Sequence, residues 1–205
     1  MGLTADQLKA ALDELAAREP GFAEALARTG YPEPRIRPRG YATLLRTIVG
    51  QQLSVKAAAS IWNKLEAGLG DLTDPGVMLR SDEATLRSFG LSRQKISYVQ
   101  SLAKLVVEGA LNFEALPQDD EAAIALLTEV KGIGRWSAEI YLLFAEGRPD
   151  IWPAGDLAVQ IEIGRLLGLP DRPSERAIRK LAENWRPHRG AAAILAWHHY
   201  NTTTI

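Results

Sequence analysis

The stretch that decides the fold is Leu126–Ala138, which reads LLTEVKGIGRWSA. An apolar helix end reaches a Gly-x-Gly turn at Gly132 and Gly134, and a second apolar helix begins at once, which predicts a short hairpin between two helices. Glycines permit positive φ and leave the main-chain N–H groups uncovered by side chains. The following helix directs its first N–H groups and its positive dipole end out of the turn. A phosphate is therefore the expected ligand, which makes a nucleic-acid backbone the leading candidate.

An isolated Gly-x-Gly turn is more often a plain tight turn than a binding site, so its surroundings matter. Asp156 lies twenty residues after Trp136, at the end of a connection rich in proline and glycine and just before an apolar helical stripe. That position predicts a helix N-cap. Capping alone explains a lone aspartate, unless other features of the chain give it a chemical role.

The amino-acid composition limits which functional groups could form a catalytic or metal-binding site. The 205 residues include 46% hydrophobic and 24% charged residues, which is typical of a folded chain with one large domain or two small ones. Cysteine is absent, which excludes disulfides, thiolate zinc sites, iron–sulfur clusters and cysteine nucleophiles. Carboxylates, histidines and hydroxyls remain as candidates. With no apolar run of eighteen residues and no basic-then-apolar N-terminus, we expect a cytoplasmic protein without a membrane segment.

The net charge of −1 argues against nucleic-acid binding, because proteins that neutralise phosphates usually carry a basic excess. Amides, helix ends and a few cations can nevertheless be concentrated on one face while acidic residues cover the rest. The expected consequence is modest affinity with a strong dependence on salt.

Apolar spacing of about 3.6 residues recurs along the chain and no segment alternates with period two, so the sequence predicts an all-α fold. A proline-rich segment with three arginines, residues 22–39, predicts an extended connection, either a solvated linker or a path for a phosphate backbone. Helices are expected at residues 4–19, 41–50, 54–68, 81–89, 93–107, 120–130, 135–144, 156–167, 174–181 and 188–200.

Two of these helices meet at Gln51-Gln52-Leu53, where Gly50 ends one and Ser54 caps the next. Adjacent amides at such a joint are either ordinary surface residues or groups presented to base edges.

These features together resemble the helix-hairpin-helix superfamily of DNA glycosylases. The matching segments are the hairpin at 130–138, the loop ending in Pro153-Ala154-Gly155-Asp156, and Gly50–Ser54. Within the superfamily the chain is most similar to the alkylation-repair type, 3-methyladenine DNA glycosylase II, over residues 41–201. The resemblance implies two helical subdomains with an active-site cleft between them. We expect one glycosylase domain over residues 1–205, with subdomains at 41–130 and at 1–40 plus 131–205.

The implied activity is removal of alkylated purines, such as 3-methyladenine and 7-methylguanine, from double-stranded DNA by hydrolysis of the N-glycosidic bond. The base would be flipped out of the duplex. Asp156 matches the catalytic carboxylate, which would stabilise the oxocarbenium-like cation. Trp136 stands where strand-nicking relatives have a Schiff-base lysine, so a monofunctional enzyme without lyase activity and without a catalytic cofactor is expected.

Other roles follow from matching positions. Trp136 and Trp197 match aromatic residues that would stack on a cationic base. Ile140 and His198 stand where the type has further aromatics, so the substrate range of the type need not apply to this chain. Gln52 matches the wedge that fills the gap left by the flipped base.

The DNA-contacting residues implied by the resemblance lie at the joint and at the hairpin: Gln51, Gln52, Leu53, Lys131, Gly132, Gly134, Arg135 and Ser137. A structural sodium or potassium ion, bound when DNA is present, would be held by the main-chain carbonyls of Thr128, Val130 and Ile133. The histidines give no metal-site spacing. We expect a monomer.

Three alternatives remain open. The chain could be a non-catalytic helix-hairpin-helix module that binds DNA, a glycosylase for another damaged or mismatched base, or a helical protein-interaction domain.

Overall fold

The computed structural model describes residues 2–203, and all regular structure within them is helical, which confirms the predicted all-α fold. None of the helices in this range has the length and apolar character needed to cross a bilayer. Short 3₁₀ segments lie at Phe113–Ala115 and Ala182–Trp185, and a π-helical segment lies at Leu142–Glu146. The α-helices are α1 Ala5–Arg18, α2 Pro20–Thr29, α3 Tyr41–Gly50, α4 Val55–Leu69, α5 Pro75–Arg80, α6 Glu83–Ser88, α7 Arg93–Val107, α8 Asp120–Thr128, α9 Arg135–Tyr141, α10 Leu157–Leu166, α11 Glu175–Leu181 and α12 Arg189–Thr203.

The helices fall into two units. The terminal unit contains Met1–Arg37 and Leu142–Ile205, and the central unit contains Pro38–Tyr141. The hairpin belongs to the central unit, because α9 packs against α3 and α8. The sequence-based division had instead placed residues 131–141 with the terminal helices.

In the terminal unit, α1, α2 and α12 pack on one another and α10 packs on α12. Leucines at helical spacing on α1 are fully buried, as the sequence predicts. The Trp185 ring lies 5.0 Å from the Phe22 ring and 5.5 Å from the Trp152 ring, measured between centroids. Trp152 belongs to the loop that precedes α10, whose N-cap residue is Asp156.

In the central unit, α7 is the shared partner of α3, α5 and α6. The apolar stripes of α7 and α3 are buried, apart from the half-buried Val106 at the end of α7. In α4, Trp62 and Leu65 are buried, whereas Val55, which the apolar spacing places on the same stripe, is 88% exposed.

Two short helices differ from the sequence-based expectation. The connection predicted from residue 22 begins as a helix, α2, with Pro20 in its first turn, where a missing N–H costs nothing. The burial of Phe22 and Ala25 gives α2 a packing face, and only residues 30–39 remain irregular. Ser81 does not begin a helix: it ends α5, which was missed, and Asp82 caps α6 by accepting a hydrogen bond from Thr85 N at 2.7 Å.

Candidate functional site

The hairpin turn joins α8 to α9 and depends on Gly132. Its φ of +82° is unfavourable for other residues, and a Cβ there would lie 2.1 Å from the Tyr98 ring. Gly134 is different, because a Cβ at that position would meet no atom within 4 Å. Internal packing therefore explains the glycine at position 132. At position 134 the absence of a side chain leaves the outer surface of the turn uncovered.

The N-terminus of α9 follows the turn directly. The first intrahelical hydrogen bond runs from Ala138 N to Gly134 O at 3.1 Å, so the amides before Ala138 lie at the positive end of the helix. Ser137 is half-buried in this first turn, and Lys131 is exposed on the other side of the hairpin. This arrangement has the polarity that an anion requires.

The Arg135 side chain already has carboxylate partners. Its guanidinium donates to both carboxylate oxygens of Glu121, with Nη1 to Oε2 at 2.8 Å, and its Nε donates to Glu139 Oε1 at 2.9 Å. The hydrogen bonds to Glu121 are the main cause of the raised pKa of Arg135. The guanidinium thus fastens α9 to α8, and a phosphate contact by this side chain stays a prediction.

The joint between α3 and α4 combines backbone strain with exposed apolar side chains. Gln52 has a φ of +56°, a left-handed conformation that is uncommon for residues other than glycine and often occurs at functional sites. Leu53 is 40% exposed and Val55 is 88% exposed. Gln51 has an internal partner, since its Nε2 donates to Gly132 O at 2.8 Å.

Asp156 caps α10, as predicted. Its Oδ1 accepts a hydrogen bond from Val159 N at 3.0 Å, and its own N–H donates to Pro153 O at 2.9 Å. Gln160 Nε2 donates to Ala154 O at 2.7 Å and so ties the preceding loop to the helix. The carboxylate is partly buried and is held in a fixed orientation at a helix N-terminus.

The four predicted pocket residues differ in accessibility. Trp136 is 47% exposed, whereas Ile140 is buried in the central unit. Trp197 is half-buried in the terminal unit, with its ring 5.8 Å from the Phe144 ring. His198 is also half-buried, and its Nε2 lies 3.0 Å from Thr29 O. Among the tryptophans within residues 2–203, Trp136 is therefore the exposed one, whereas the other four are buried or half-buried.

The predicted carbonyl ligands of the monovalent ion lie at the hairpin. Val130 O already accepts a hydrogen bond from Ile133 N at 3.0 Å, which leaves a second lone pair on that oxygen. Thr128 is exposed just before the turn. Neutral oxygens suit a monovalent cation, so these residues are chemically compatible with the predicted ion. Among residues 2–203, no cluster of three or more histidine, aspartate or glutamate side chains offers a metal site.

Sequence reasoning missed the role of α7, which it treated as core scaffold. Lys95 Nζ donates to Val49 O at 2.7 Å, at the end of α3, and burial lowers the pKa of this lysine. Tyr98 packs against Gly132, and Lys131 N donates to Ser101 Oγ at 3.2 Å. The three-residue spacing of these α7 side chains was visible in the sequence, but their partners were not.

The chain is similar to known DNA repair proteins. Residues 45–187 match the HhH-GPD superfamily of base excision DNA repair proteins. A DNA-3-methyladenine glycosylase of Schizosaccharomyces pombe is 34% identical over 161 residues, which cover 77% of this chain and 71% of that protein. A solved structure of the 3-methyladenine DNA glycosylase of the same yeast in complex with abasic DNA has a TM-score of 0.77 at 30% identity, covering 95% of this chain and 97% of that one.

A second structure, a DNA-3-methyladenine glycosidase from Bacillus halodurans, has a TM-score of 0.85 at 29% identity, covering 92% of this chain and 88% of that chain. The match over residues 45–187 contains the joint, the hairpin and Asp156, the three segments on which the sequence-based resemblance rests. This chain belongs to the HhH-GPD superfamily of base excision DNA repair proteins.

Proposed function

We propose that this protein is a DNA glycosylase that removes alkylated purines from double-stranded DNA and leaves an abasic site. The observation that carries the proposal is the carboxylate of Asp156, which caps the start of α10 by accepting a hydrogen bond from Val159 N at 3.0 Å. Relatives named as 3-methyladenine DNA glycosylases support the choice of reaction and substrate class.

Asp156 would act by electrostatic stabilisation. Cleavage of a glycosidic bond develops positive charge on the sugar, and a fixed carboxylate lowers the energy of that oxocarbenium-like state. The hydrogen bond to Val159 N fixes the orientation of the carboxylate before the reaction, so little reorganisation is needed when charge develops. An alkylated purine already carries positive charge and leaves readily, so one carboxylate can suffice without a separate general acid.

Recognition of the base would rest on aromatic stacking. A cationic purine is attracted to the face of an indole ring, and the exposed ring of Trp136 is accessible for such a contact. The half-buried Trp197, backed by Phe144, would offer a second aromatic surface. The buried Ile140 and the hydrogen-bonded His198 would then shape the substrate range rather than stack.

The enzyme would be monofunctional. A lyase step needs an amine that attacks the sugar carbon and forms an imine, and an indole at position 136 cannot do so. Reduction with borohydride during turnover should therefore trap no covalent protein–DNA complex. A trapped complex would contradict this part of the proposal.

DNA binding would use the hairpin and the joint. The amides at Gly132 and Gly134, together with Lys131 and Ser137, would hold phosphates, while Gln52 and Leu53 would enter the gap left by the flipped base. A sodium or potassium ion on the carbonyls of Thr128, Val130 and Ile133 would hold the hairpin when DNA is bound.

The test is release of 3-methyladenine and 7-methylguanine from alkylated duplex DNA by the wild type and by Asp156→Asn. We expect base release by the wild type and loss of most of it in the variant. Equal activity would remove Asp156 from the mechanism. Salt-sensitive DNA binding without any base release would identify a non-catalytic DNA-binding module instead.

A further inference from the structure

One hydrogen bond joins two segments that lie far apart in sequence. Gln51 follows the last residue of α3, and Gly132 is the glycine with positive φ in the hairpin turn, yet Gln51 Nε2 lies 2.8 Å from Gly132 O. A carbonyl oxygen only accepts hydrogen bonds, so the side-chain amide of Gln51 must present its NH₂ group to the hairpin. One of the two N–H donors of that group is thereby used for Gly132 O.

A single helix supports both segments. Lys95, Tyr98 and Ser101 follow one another at intervals of three along α7, which places them on one face of the helix. Lys95 holds the carbonyl of Val49 at the end of α3. Tyr98 fills the space beside Gly132, and Ser101 accepts from Lys131 N, so the other two residues hold the hairpin.

We infer that Gln51 is a positioning residue that fixes the hairpin relative to the joint, rather than a residue that reads bases. This inference rests on the proposed function only in assigning DNA contacts to the two segments. Gln51 would act through Gly132 O and would set the spacing between the amides of the turn and the neighbouring Gln52.

The physical reason is preorganisation. A glycine turn at the surface samples several conformations when it is unsupported, and ordering such a turn on binding lowers affinity. The bond from Gln51 orders the turn in the free protein, so its loss should weaken binding to every DNA in the same proportion. A residue that reads bases would instead give an effect that depends on the sequence or on the opposing base.

The experiment compares Gln51→Met with Gln52→Met. Methionine matches the length of glutamine but cannot donate, and the two variants differ by one position. In the free protein, we expect the hydrogen-bonded amides of Lys131 and Ile133 to exchange about three- to tenfold faster in Gln51→Met, as for loss of one neutral hydrogen bond. Gln52→Met should leave this exchange rate unchanged. Unchanged exchange in Gln51→Met would overturn the inference.

Binding provides the second measurement. With duplex DNA that contains a tetrahydrofuran abasic analogue, Gln51→Met should raise Kd about three- to tenfold, equally for all four opposing bases. The melting temperature should fall by no more than a few degrees, and the single-turnover excision rate at saturating DNA should stay close to the wild-type rate. A loss that depends on the opposing base would indicate direct reading and would overturn the inference.

A double-mutant cycle separates the two roles further. If Gln51 acts through the hairpin, Gln51→Met and Gly134→Ala together should raise Kd by less than the product of their separate effects. If the increase in Kd of the double variant equalled the product of the two separate increases, the inference would be contradicted. Failure of the proposed function appears separately, as absence of base release by the wild type, because hydrogen exchange and abasic-DNA binding require no catalysis.

Discussion

Asp156 and Val159 are joined by one hydrogen bond, from the main-chain N–H of Val159 to Oδ1 of Asp156, with a length of 3.0 Å. Through this bond the carboxylate caps α10. The same bond fixes the orientation of the carboxylate for the proposed stabilisation of positive charge on the sugar. Asparagine caps helices about as well as aspartate but carries no charge. Replacing Asp156 by asparagine can therefore separate helix capping from the effect of the negative charge.

We predict that Asp156→Asn lowers the single-turnover rate of base excision by about a hundredfold or more, the typical cost of removing one preorganised electrostatic group. Its free energy of unfolding should change by less than about 0.5 kcal/mol, because the cap is retained. The matched control is Asp82→Asn, which alters another capping carboxylate, bonded to Thr85 N at 2.7 Å. An equal loss of activity in the control would show that capping, not charge at position 156, is responsible.

The two hairpin glycines should respond differently to alanine. Gly132→Ala places a methyl group against the Tyr98 ring at a φ of +82°, so the free energy of unfolding should fall by about 2 kcal/mol or more. Gly134→Ala meets open space, so stability should change by less than about 0.5 kcal/mol. Affinity for abasic-site DNA should nevertheless weaken about tenfold in Gly134→Ala, since the methyl group covers the amides offered to phosphate. Urea unfolding and DNA titration measure the two effects, and unchanged affinity would place the DNA contact elsewhere.

Much of the fold could be predicted from the sequence because its signals are local. Apolar spacing and capping residues predicted the ends of α7 and the N-caps of α4, α10 and α11, at Ser54, Asp156 and Ser174. The hairpin was predicted for the same reason, because two glycines between apolar stripes are a local signal.

Features that depend on distant partners could not be predicted. The helix α2 was missed because residues 22–39 were interpreted as an extended, proline-rich connection. Proline also starts helices, and the burial of Phe22 gives this segment a packing face. Similarly, nothing near Arg135 in sequence indicates that Glu121 binds it, and nothing near Gln51 indicates Gly132. Arg135 and Gln51 were predicted to contact DNA because of their positions in the motifs. Their hydrogen bonds within the protein became visible only in the tertiary structure.

We predict that Trp136→Ala lowers excision of 3-methyladenine by about 10- to 100-fold, because stacking of a base on an aromatic ring contributes about 1–3 kcal/mol. Trp136→Phe should keep most of the activity, since a phenyl ring also stacks. The loss in Trp136→Ala should be smaller for hypoxanthine, which lacks the positive charge that favours the ring face. An equal loss of excision activity for charged and neutral bases would indicate that the indole contributes by stacking and packing alone, without attraction to the positive charge.

The terminal unit contains a buried pair of polar side chains, Glu162 and His199, that sequence reasoning did not identify. Glu162 on α10 is fully buried, with Oε1 at 2.5 Å from His199 Nδ1 on α12 and Oε2 at 3.3 Å from Arg165 Nη1. We predict that His199→Leu lowers the free energy of unfolding by about 3 kcal/mol, because it leaves a buried carboxylate without its nearest partner. The double variant Glu162→Leu/His199→Leu should recover most of this loss, since replacing both partners by apolar groups is often nearly neutral. Urea unfolding of the three variants measures the coupling, and a double variant less stable than His199→Leu would contradict the prediction.

Two tyrosines of the central unit provide a matched pair for a test of stability and its pH dependence. The Tyr41 hydroxyl is buried and has no hydrogen-bond partner among residues 2–203, whereas the Tyr141 hydroxyl accepts a hydrogen bond from Gly40 N at 2.8 Å. Tyr41→Phe should therefore raise the free energy of unfolding by about 1 kcal/mol, and Tyr141→Phe should lower it by about 1 kcal/mol.

Burial, with a smaller contribution from the charge of Asp74, raises the pKa of Tyr41 above its ordinary value of 10.0. The folded protein therefore keeps this proton at a pH where the unfolded chain releases it. The resulting contribution to stability is fully present below pH 10.0 and is lost progressively as the pH rises above that value. Between pH 9 and pH 11, on the scale set by that ordinary pKa, the wild type should lose more stability than Tyr41→Phe in parallel urea titrations. Equal slopes for the two proteins would show that Tyr41 releases its proton as readily in the folded state as in the unfolded one.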